Sequence, residues 1–316
     1  MIKDASILIT GGTGSFGTAF VKRALEHNPK RLVIFSRDEQ KQHAMERELD
    51  HPSLRFFIGD VRDRDRLELA MRGIDYVIHA AAMKIIPTCE RDPYECVRTN
   101  VLGAENVARA ALRMGVMKVL ALSTDKAAAP LNLYGATKLA AEKLLIAANG
   151  IAAGMTIYSA VRYGNVVGSR GSVIPLFKQL AAAGKPLPIT HPEMTRFWIT
   201  LPQAVTFVQS SLLHMTGGEI FVPKLPSMRI VDLAKAIGGA KVATPIIGIR
   251  PGEKLHETLL TEDEARIAVD WEDRFVILPD GRMDNYSNGL TLERGFSYAS
   301  HNNTDWLTAK QLRAIV

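Results

Sequence analysis

The chain has 316 residues, 47% of them hydrophobic and 23% charged, with a net charge of +6 and two cysteines. That length suits one large α/β unit with a smaller second lobe, and no apolar run approaches the ~20 residues of a membrane span. Cys89 and Cys96 are too few for a disulfide framework and lack partners for a zinc site, so no metal is expected; the basic residues form no run or aromatic–basic stripe that would mark a nucleic-acid binder.

In chain order, Met1 passes through Lys3 and Asp4 straight into a strand, Ser6 to Thr10. No signal peptide is expected there, and the cytosol is the expected location. A glycine turn then opens a helix over Ser15 to Glu26. Strand Arg31–Phe35 and helix Glu39–Leu49 follow, then strand Arg55–Ile58, helix Arg64–Met71 and strand Tyr76–Ala80. A long helix is predicted over Pro93–Met114, a strand over Lys118–Leu122 and a helix over Tyr134–Ala148. Strands separated by helices of this length imply right-handed βαβ units and a doubly wound parallel sheet, and the near-continuous apolar strands fit a sheet covered on both faces. From about Gly164 the pattern loosens into short elements punctuated by proline, including Pro175, Pro186, Pro188, Pro192 and Pro202. The expected division is 1–164 for a nucleotide-binding domain and 165–316 for a smaller substrate-binding lobe, interleaved with the first and laid over the carboxyl edge of the sheet.

The first turn reads Gly11-Gly12-Thr13-Gly14-Ser15-Phe16-Gly17. Gly12, Gly14 and Gly17 satisfy the Rossmann fingerprint, and Gly11, Gly14 and Gly17 its longer variant. Glycine is needed because backbone N–H groups must approach a pyrophosphate at a helix N-terminus. The strand–turn–helix setting gives the motif its weight. The second strand ends Phe35-Ser36-Arg37 where an NAD enzyme usually carries an acid. A hydroxyl and a guanidinium there suit a ribose 2′-phosphate, so NADP is favoured, with Asp38 read as a helix N-cap. Asp60 and Val61 close the third strand beside the expected adenine; Asp60 has an equal alternative as a cap on the next helix.

Ser123, Thr124, Asp125 and Lys126 follow the strand Lys118–Leu122, at the ligand crevice of such a sheet. Tyr134 and Lys138 come next, four residues apart on one helical face. A lysine ammonium beside a phenol lowers its pKa from ~10 toward working pH.

These residues resemble the extended short-chain dehydrogenase/reductases. Within them, the chain looks like the inverting UDP-N-acetylglucosamine 4,6-dehydratases of pseudaminic acid biosynthesis, from about Ser6 to Leu312. The resemblance is carried by FSRDEQKQ (Phe35–Gln42), FFIGDVRD (Phe56–Asp63), LSTDKAA (Leu122–Ala128), NLYGATK (Asn132–Lys138), VRYGNVVGSRGSV (Val161–Val173), MTRFWIT (Met194–Thr200), GGEIFVPK (Gly217–Lys224) and IGIRPGEKLHE (Ile247–Glu257). Retaining sugar dehydratases typically carry Thr-Asp-Glu where this chain has Thr124-Asp125-Lys126, and inverting ones carry the lysine.

The resemblance implies a redox-neutral dehydration of UDP-N-acetylglucosamine. Tyr134 takes the 4-hydroxyl proton as hydride passes to NADP, Lys126 removes the carbon 5 proton, and Asp125 protonates the departing 6-hydroxyl. Hydride then returns to carbon 6, and carbon 5 is reprotonated on the opposite face. Lys126 would need a pKa well below ~10.4, with Lys138, the nicotinamide and burial pushing it down, and Asp125 a raised one. The resemblance adds Lys41, Ala80, Lys84, Val166, Val167, Gly168, Ser169 and Arg170 to the cofactor set. To the substrate it assigns Lys84, Thr99, Asn165, Val173, Thr195, Arg250 and Glu253, the last two for diphosphate and ribose. Arg170, Arg196 and Lys84 have a plain alternative as solvated surface charges. A homo-oligomer is implied by analogy. Two rivals remain at this point: a nucleotide-sugar 4-epimerase or dehydratase–epimerase, which needs no acid/base pair, and a non-enzymatic NADP-binding scaffold, against which Tyr134 and Lys138 speak.

Overall fold

The computed structural model describes residues 2–169, 171–278, 281 and 284–315. Strand and helix alternate through the first half: β1 (Ser6–Thr10), α1 (Ser15–Leu25), β2 (Arg31–Ser36), α2 (Glu39–Leu49), β3 (Leu54–Ile58), α3 (Arg64–Met71) and β4 (Tyr76–His79). Asp38 and Asp63 cap α2 and α3, accepting from Lys41 N at 3.0 Å and Arg66 N at 2.9 Å. The capping role considered for Asp60 therefore falls to Asp63 instead. After β4 come α4 (Ile86–Arg91), α5 (Pro93–Val97), a π-helical turn at Arg98–Leu102 and α6 (Gly103–Arg113).

Two of these differ from expectation. α4 is too short to show a helical period in sequence. The single helix expected over Pro93–Met114 is broken by the π turn, where one extra residue swings Asn100 inward. Its Nδ2 donates to Met83 O and Thr137 Oγ1, both at 3.0 Å, and its Oδ1 accepts from Met83 N at 2.8 Å. The turn thus ties the segment after β4 to the helix that follows β5.

That part of the chain is β5 (Lys118–Leu122), a single 3-10 turn at Asp125–Ala127, α7 (Leu133–Ala152) and β6 (Ile157–Val161). Then follow β7 (Asn165–Val166), α8 (Val173–Ala182), β8 (Thr195–Ile199), α9 (Leu201–His214), β9 (Ile220–Pro223), β10 (Ser227–Arg229), α10 (Ile230–Gly238), β11 (Thr258–Leu260), α11 (Glu262–Ala265), β12 (Ala268–Trp271), β13 (Arg274–Ile277), β14 (Leu290–Thr291), β15 (Tyr298–Ala299) and α12 (Ala309–Ile315).

Among the described residues one ten-stranded sheet runs β14-β12-β13-β9-β6-β5-β4-β1-β2-β3. From β3 to β9 every pairing is parallel, and β13, β12 and β14 extend the far edge antiparallel. The order 3-2-1-4-5-6 is the doubly wound Rossmann sheet, with its crevice where β1 and β4 diverge. Chain from residue 165 onward supplies both β9 in this sheet and a separate sheet of β7, β8 and β10.

Alternation along the strands explains why both faces are filled. Ile7 and Ile9 pack with Phe20 and Val21 of α1 and Val205 and Val208 of α9, while Leu8 turns the other way with Leu67 of α3, Val107 of α6 and Leu145 of α7. Each fully buried side chain of this size contributes about 1.5–3 kcal/mol of transfer free energy. A third cluster, with Phe177, Trp198, Leu233 and Leu312, is the core of the part that overhangs the crevice. Arg162, wholly buried just past β6, joins Glu142 of α7 and Glu264 of α11 at 2.7 Å each, which locks the helix carrying Tyr134 and Lys138 onto the sheet.

Candidate active site

Along the carboxyl ends of these strands lies a cleft of about 950 Å³. One end is lined by Ser36, Arg37, Asp38, Lys41, Asp60 and Val61, the middle by Thr13, Gly14, Ser15, Phe16 and Gly17, and the far end by Thr124, Lys126, Tyr134 and Lys138. Ala80, Lys84, Thr99, Asn165, Val166, Ser169 and Arg250 also line it. Gly12, Val167, Gly168, Val173, Thr195 and Glu253, expected at the ligand, do not reach the cleft wall; Arg170 lies outside the described residues.

The reasons are local. Gly12 lies beneath the turn, where a Cβ would sit 2.8 Å from Ile34 Cγ2 and 3.1 Å from Ile9 Cγ2, and its carbonyl oxygen leaves no room for a Cβ on Gly17. Val167 packs into the overhanging core. Thr195 spends its hydroxyl on His256 Nδ1 at 2.8 Å and Ser300 Oγ at 2.7 Å. Glu253 faces Arg196 at 3.7 Å and the Arg250 amide at 3.3 Å.

The middle of the cleft suits a pyrophosphate. Gly14 caps α1 without a side-chain hydrogen bond, and the first turn holds no acid, so the N-terminal N–H groups and the helix dipole are open to an anion. Three buried hydroxyls on the lining, Thr99, Ser123 and Ser172, have no hydrogen-bond partner among the described residues, as expected where a polar ligand completes them. At the adenosine end, Arg37 stands 60% exposed and 3.5 Å from Asp60, while Ser36 Oγ accepts from Gln42 Nε2 at 3.0 Å. Asp60 is held by Arg62, whose Nε and Nη2 donate at 3.0 and 2.6 Å, and its carboxyl lies below its ordinary range because those bonds outweigh burial.

At the far end, β5 and the 3-10 turn present three consecutive polar residues. Thr124 donates to Asp125 Oδ1 at 2.9 Å, and Lys126 Nζ donates to the same oxygen at 2.9 Å. Asp125 is fully buried behind the wall, and its Oδ2 has no partner among the described residues. Close approach of α7 sets the relation of this turn to Tyr134: a Cβ on Gly135 would lie 2.2 Å from the Lys126 carbonyl oxygen. Asn132 caps the same helix through Gly135 N at 2.8 Å and donates to Gly252 O at 2.8 Å, drawing the Arg250–Glu253 loop over the site.

The protonation pattern departs from expectation at two residues. Burial alone would lower Lys126, but Asp125 and Glu257 outweigh it and hold the ammonium well above the usual lysine range, with Arg196 opposing them. Glu257 Oε1 is 3.1 Å from Nζ, a contact that sequence spacing, 131 residues apart, had no means of showing. Burial pushes the Tyr134 phenol up to about 12, and the groups pulling it back are Lys126 and the Thr124 hydroxyl rather than Lys138. Lys138 donates to Leu122 O at 2.7 Å, and burial brings its ammonium down to about 8. Arg196, considered as a solvated charge, is buried: it donates to the carbonyls of Thr195, Leu255 and Lys254 at 2.7, 3.0 and 2.9 Å.

Residues 7–279 match the family described as polysaccharide biosynthesis protein. The UDP-N-acetylglucosamine 4,6-dehydratase (inverting) of Campylobacter jejuni is 50% identical to this chain over an alignment covering 100% of it and 98% of the relative. A UDP-glucose 4-epimerase of Rickettsia typhi is 46% identical, covering 100% of this chain and 96% of the relative. Among solved structures, Pen from Bacillus thuringiensis is 38% identical with a TM-score of 0.92, covering 99% of this chain and 97% of that one. With a family model spanning most of its length and full-length relatives at about half identity, the chain belongs to the polysaccharide biosynthesis protein family.

Proposed function

We propose that the protein is an NADP-dependent 4,6-dehydratase of UDP-N-acetylglucosamine. The product is a UDP-2-acetamido-2,6-dideoxy-4-hexulose with carbon 5 inverted, as needed for pseudaminic acid-type sugars. The observation that carries the reading is the Asp125–Lys126 pair at the end of β5, hydrogen bonded at 2.9 Å beside Tyr134. The full-length similarity to the Campylobacter jejuni dehydratase supports it. Ser36 and Arg37 support NADP over NAD, since a guanidinium pairs well with a 2′-phosphate. Asp60 and Val61 would flank adenine, α1 the pyrophosphate, and Lys138 the nicotinamide ribose. When bound, the cofactor supplies a hydride acceptor at carbon 4 and a hydride donor at carbon 6.

The chain's own groups move the protons. Tyr134 accepts the proton of the 4-hydroxyl, its phenolate favoured by Lys126 and the Thr124 hydroxyl. The resting ammonium–carboxylate pair converts to amine and carboxylic acid when one proton crosses from Lys126 Nζ to Asp125 Oδ1. That single shift prepares base and acid together. The amine takes the proton on carbon 5, the acid gives its proton to Thr124 Oγ1 on the cleft wall as that hydroxyl passes its own to the departing 6-hydroxyl, and loss of water returns the pair to its starting charges. Arg250 and the loop it belongs to would hold the diphosphate.

The test is Lys126→Ala with UDP-N-acetylglucosamine in deuterated water, read by proton NMR and product mass. Wild type should lose one water and invert carbon 5, and the variant should do neither; unchanged inversion in the variant would remove the base from this scheme. A 4-epimerase reading, suggested by the Rickettsia typhi relative, predicts a product of unchanged mass. Asp125 and Lys126 have no part in epimerisation, which makes it the second reading.

A further inference from the structure

Behind Lys126 the structure holds more charge than the reaction above uses. We propose that Glu257 is a positioning residue that aims the Lys126 amine into the cleft and sets the pH at which it gives up its proton. The inference rests on the dehydratase reading and deepens it by one residue.

The geometry begins with the backbone. Glu257 N donates to Ser300 Oγ at 3.0 Å, and Ser300 N donates to Glu257 O at 2.8 Å, so its peptide is clamped on both sides just before β11. Arg196 on β8 holds the carbonyls of Leu255 and Lys254, two and three residues earlier. The backbone of Glu257 is therefore held by hydrogen bonds that do not involve its charge, while Arg196 Nε also lies 3.7 Å from Oε1. Its side chain is 3% exposed, with Oε1 3.1 Å from Nζ, while Oε2 has no hydrogen-bond partner among the described residues. Its charge is compensated by Lys126, Arg196 and Lys254, with Lys126 the nearest of the three.

An ammonium has three donors in a tetrahedral array. Asp125 accepts from one of those donors, Glu257 Oε1 stands 3.1 Å from Nζ as an ion pair, and neither carboxylate lines the cleft, whereas Lys126 does. Loss of one proton to Asp125 leaves the lone pair on that side, and rotation about the Cε–Nζ bond, with Glu257 attracting the remaining N–H groups, turns it to the cleft.

The charge balance gives the second role. Facing Lys126 are Asp125 from its own turn, Glu257 from the segment before β11, Arg196 from β8 and Tyr134 from α7; Lys254 Nζ stands 4.0 Å from Glu257 Oε2. With Glu257 charged, three cations meet two carboxylates, and the ammonium is favoured. Without it, two neighbouring cations oppose a single carboxylate, and the neutral amine gains.

The experiment compares wild type with Glu257→Gln, which keeps an acceptor at Oε1 and removes the charge. The basic limb of the kcat profile, where the ammonium of the starting pair is lost, should move to lower pH by about 1–3 units, the range expected for loss of a close opposite charge. KM should stay near the wild-type value. Glu257→Ala, which also frees the amine to rotate, should lower kcat about a hundredfold and not recover at higher pH. A readout independent of turnover is the rate at which an amine-reactive acylating reagent labels Lys126, followed by peptide mass spectrometry against pH. Glu257→Gln should label at least about tenfold faster at neutral pH, the factor that one pKa unit implies. Unshifted kcat and labelling profiles in a variant that melts like wild type would overturn the proposal. So would wild-type labelling that titrates at or below the ordinary lysine range, which decides the matter even if Glu257→Gln fails to fold. If wild type releases no water from UDP-N-acetylglucosamine, the dehydratase reading fails by itself, and the labelling arm still judges Glu257.

Discussion

Replacing Gly135 by alanine sets two physical effects against each other. Gly135 is the third residue of α7, and alanine is favoured over glycine inside a helix by about 1 kcal/mol. A methyl group there would lie 2.2 Å from the Lys126 carbonyl oxygen and 3.1 Å from Pro130 Cβ. Carbon–oxygen contacts settle near 3.3 Å, so the turn and the helix must part by about 1 Å. Overpacking of this kind costs about 1–3 kcal/mol, which exceeds the helical gain and should lower Tm by a few degrees. The larger effect falls on catalysis. The displaced turn carries Thr124, Asp125 and Lys126, and a 1 Å misplacement of reacting groups costs about a hundredfold in rate. The assay is kcat and KM for water loss from UDP-N-acetylglucosamine, alongside a thermal melt followed by circular dichroism. The expected outcome is kcat down about a hundredfold with KM within a few-fold. A variant with raised Tm and unchanged kcat would show that the close approach of α7 does not position the pair.

Two further outcomes follow from the same geometry. His79 is buried against Thr10 Oγ1 at 2.8 Å, and burial, with Lys138 adding to it, brings its pKa down to about 3. The folded value lies below the unfolded ~6.5, so the unfolded chain takes up the proton first as pH falls and stability is lost through that window. Between pH 6.5 and 5 the loss should be about 2 kcal/mol, read as a falling Tm. His79→Asn does not titrate and should flatten that slope; an equally steep slope in the variant would count against the assignment. Arg37→Ala should weaken NADPH binding about tenfold or more while leaving NADH within about twofold, measured by calorimetry, because a charge-assisted bond to the 2′-phosphate is worth about 1.5–3 kcal/mol. Equal weakening of both cofactors would place Arg37 elsewhere than at the 2′-position.

Much of the architecture was written in local order along the chain. Apolar runs of strand length separated by helical segments specify β1 to β6 and the helices between them, because each strand must bury two faces and each crossover must return right-handed. The glycine turn after β1 and the pair Tyr134 and Lys138 could be read for the same reason: their chemistry depends on residues near in sequence, joined by a tight turn or by one helical repeat. The polar run Thr124–Lys126 was legible as a site because it closes a central strand. Where a side chain found its partner far along the chain, local pattern carried no information. The π turn owes its place to Asn100 reaching Met83 and Thr137, and α4 is too brief to declare itself. Thr195 belongs to a buried hydroxyl network with His256 and Ser300 rather than to the cleft wall. Lys126 is the clearest case. As a residue type in a motif it could be named from sequence, but whether it rests as ammonium or amine depends on electrostatics falling off with distance in space. That was decided only when folding carried Glu257 and Arg196 to within reach of the turn after β5.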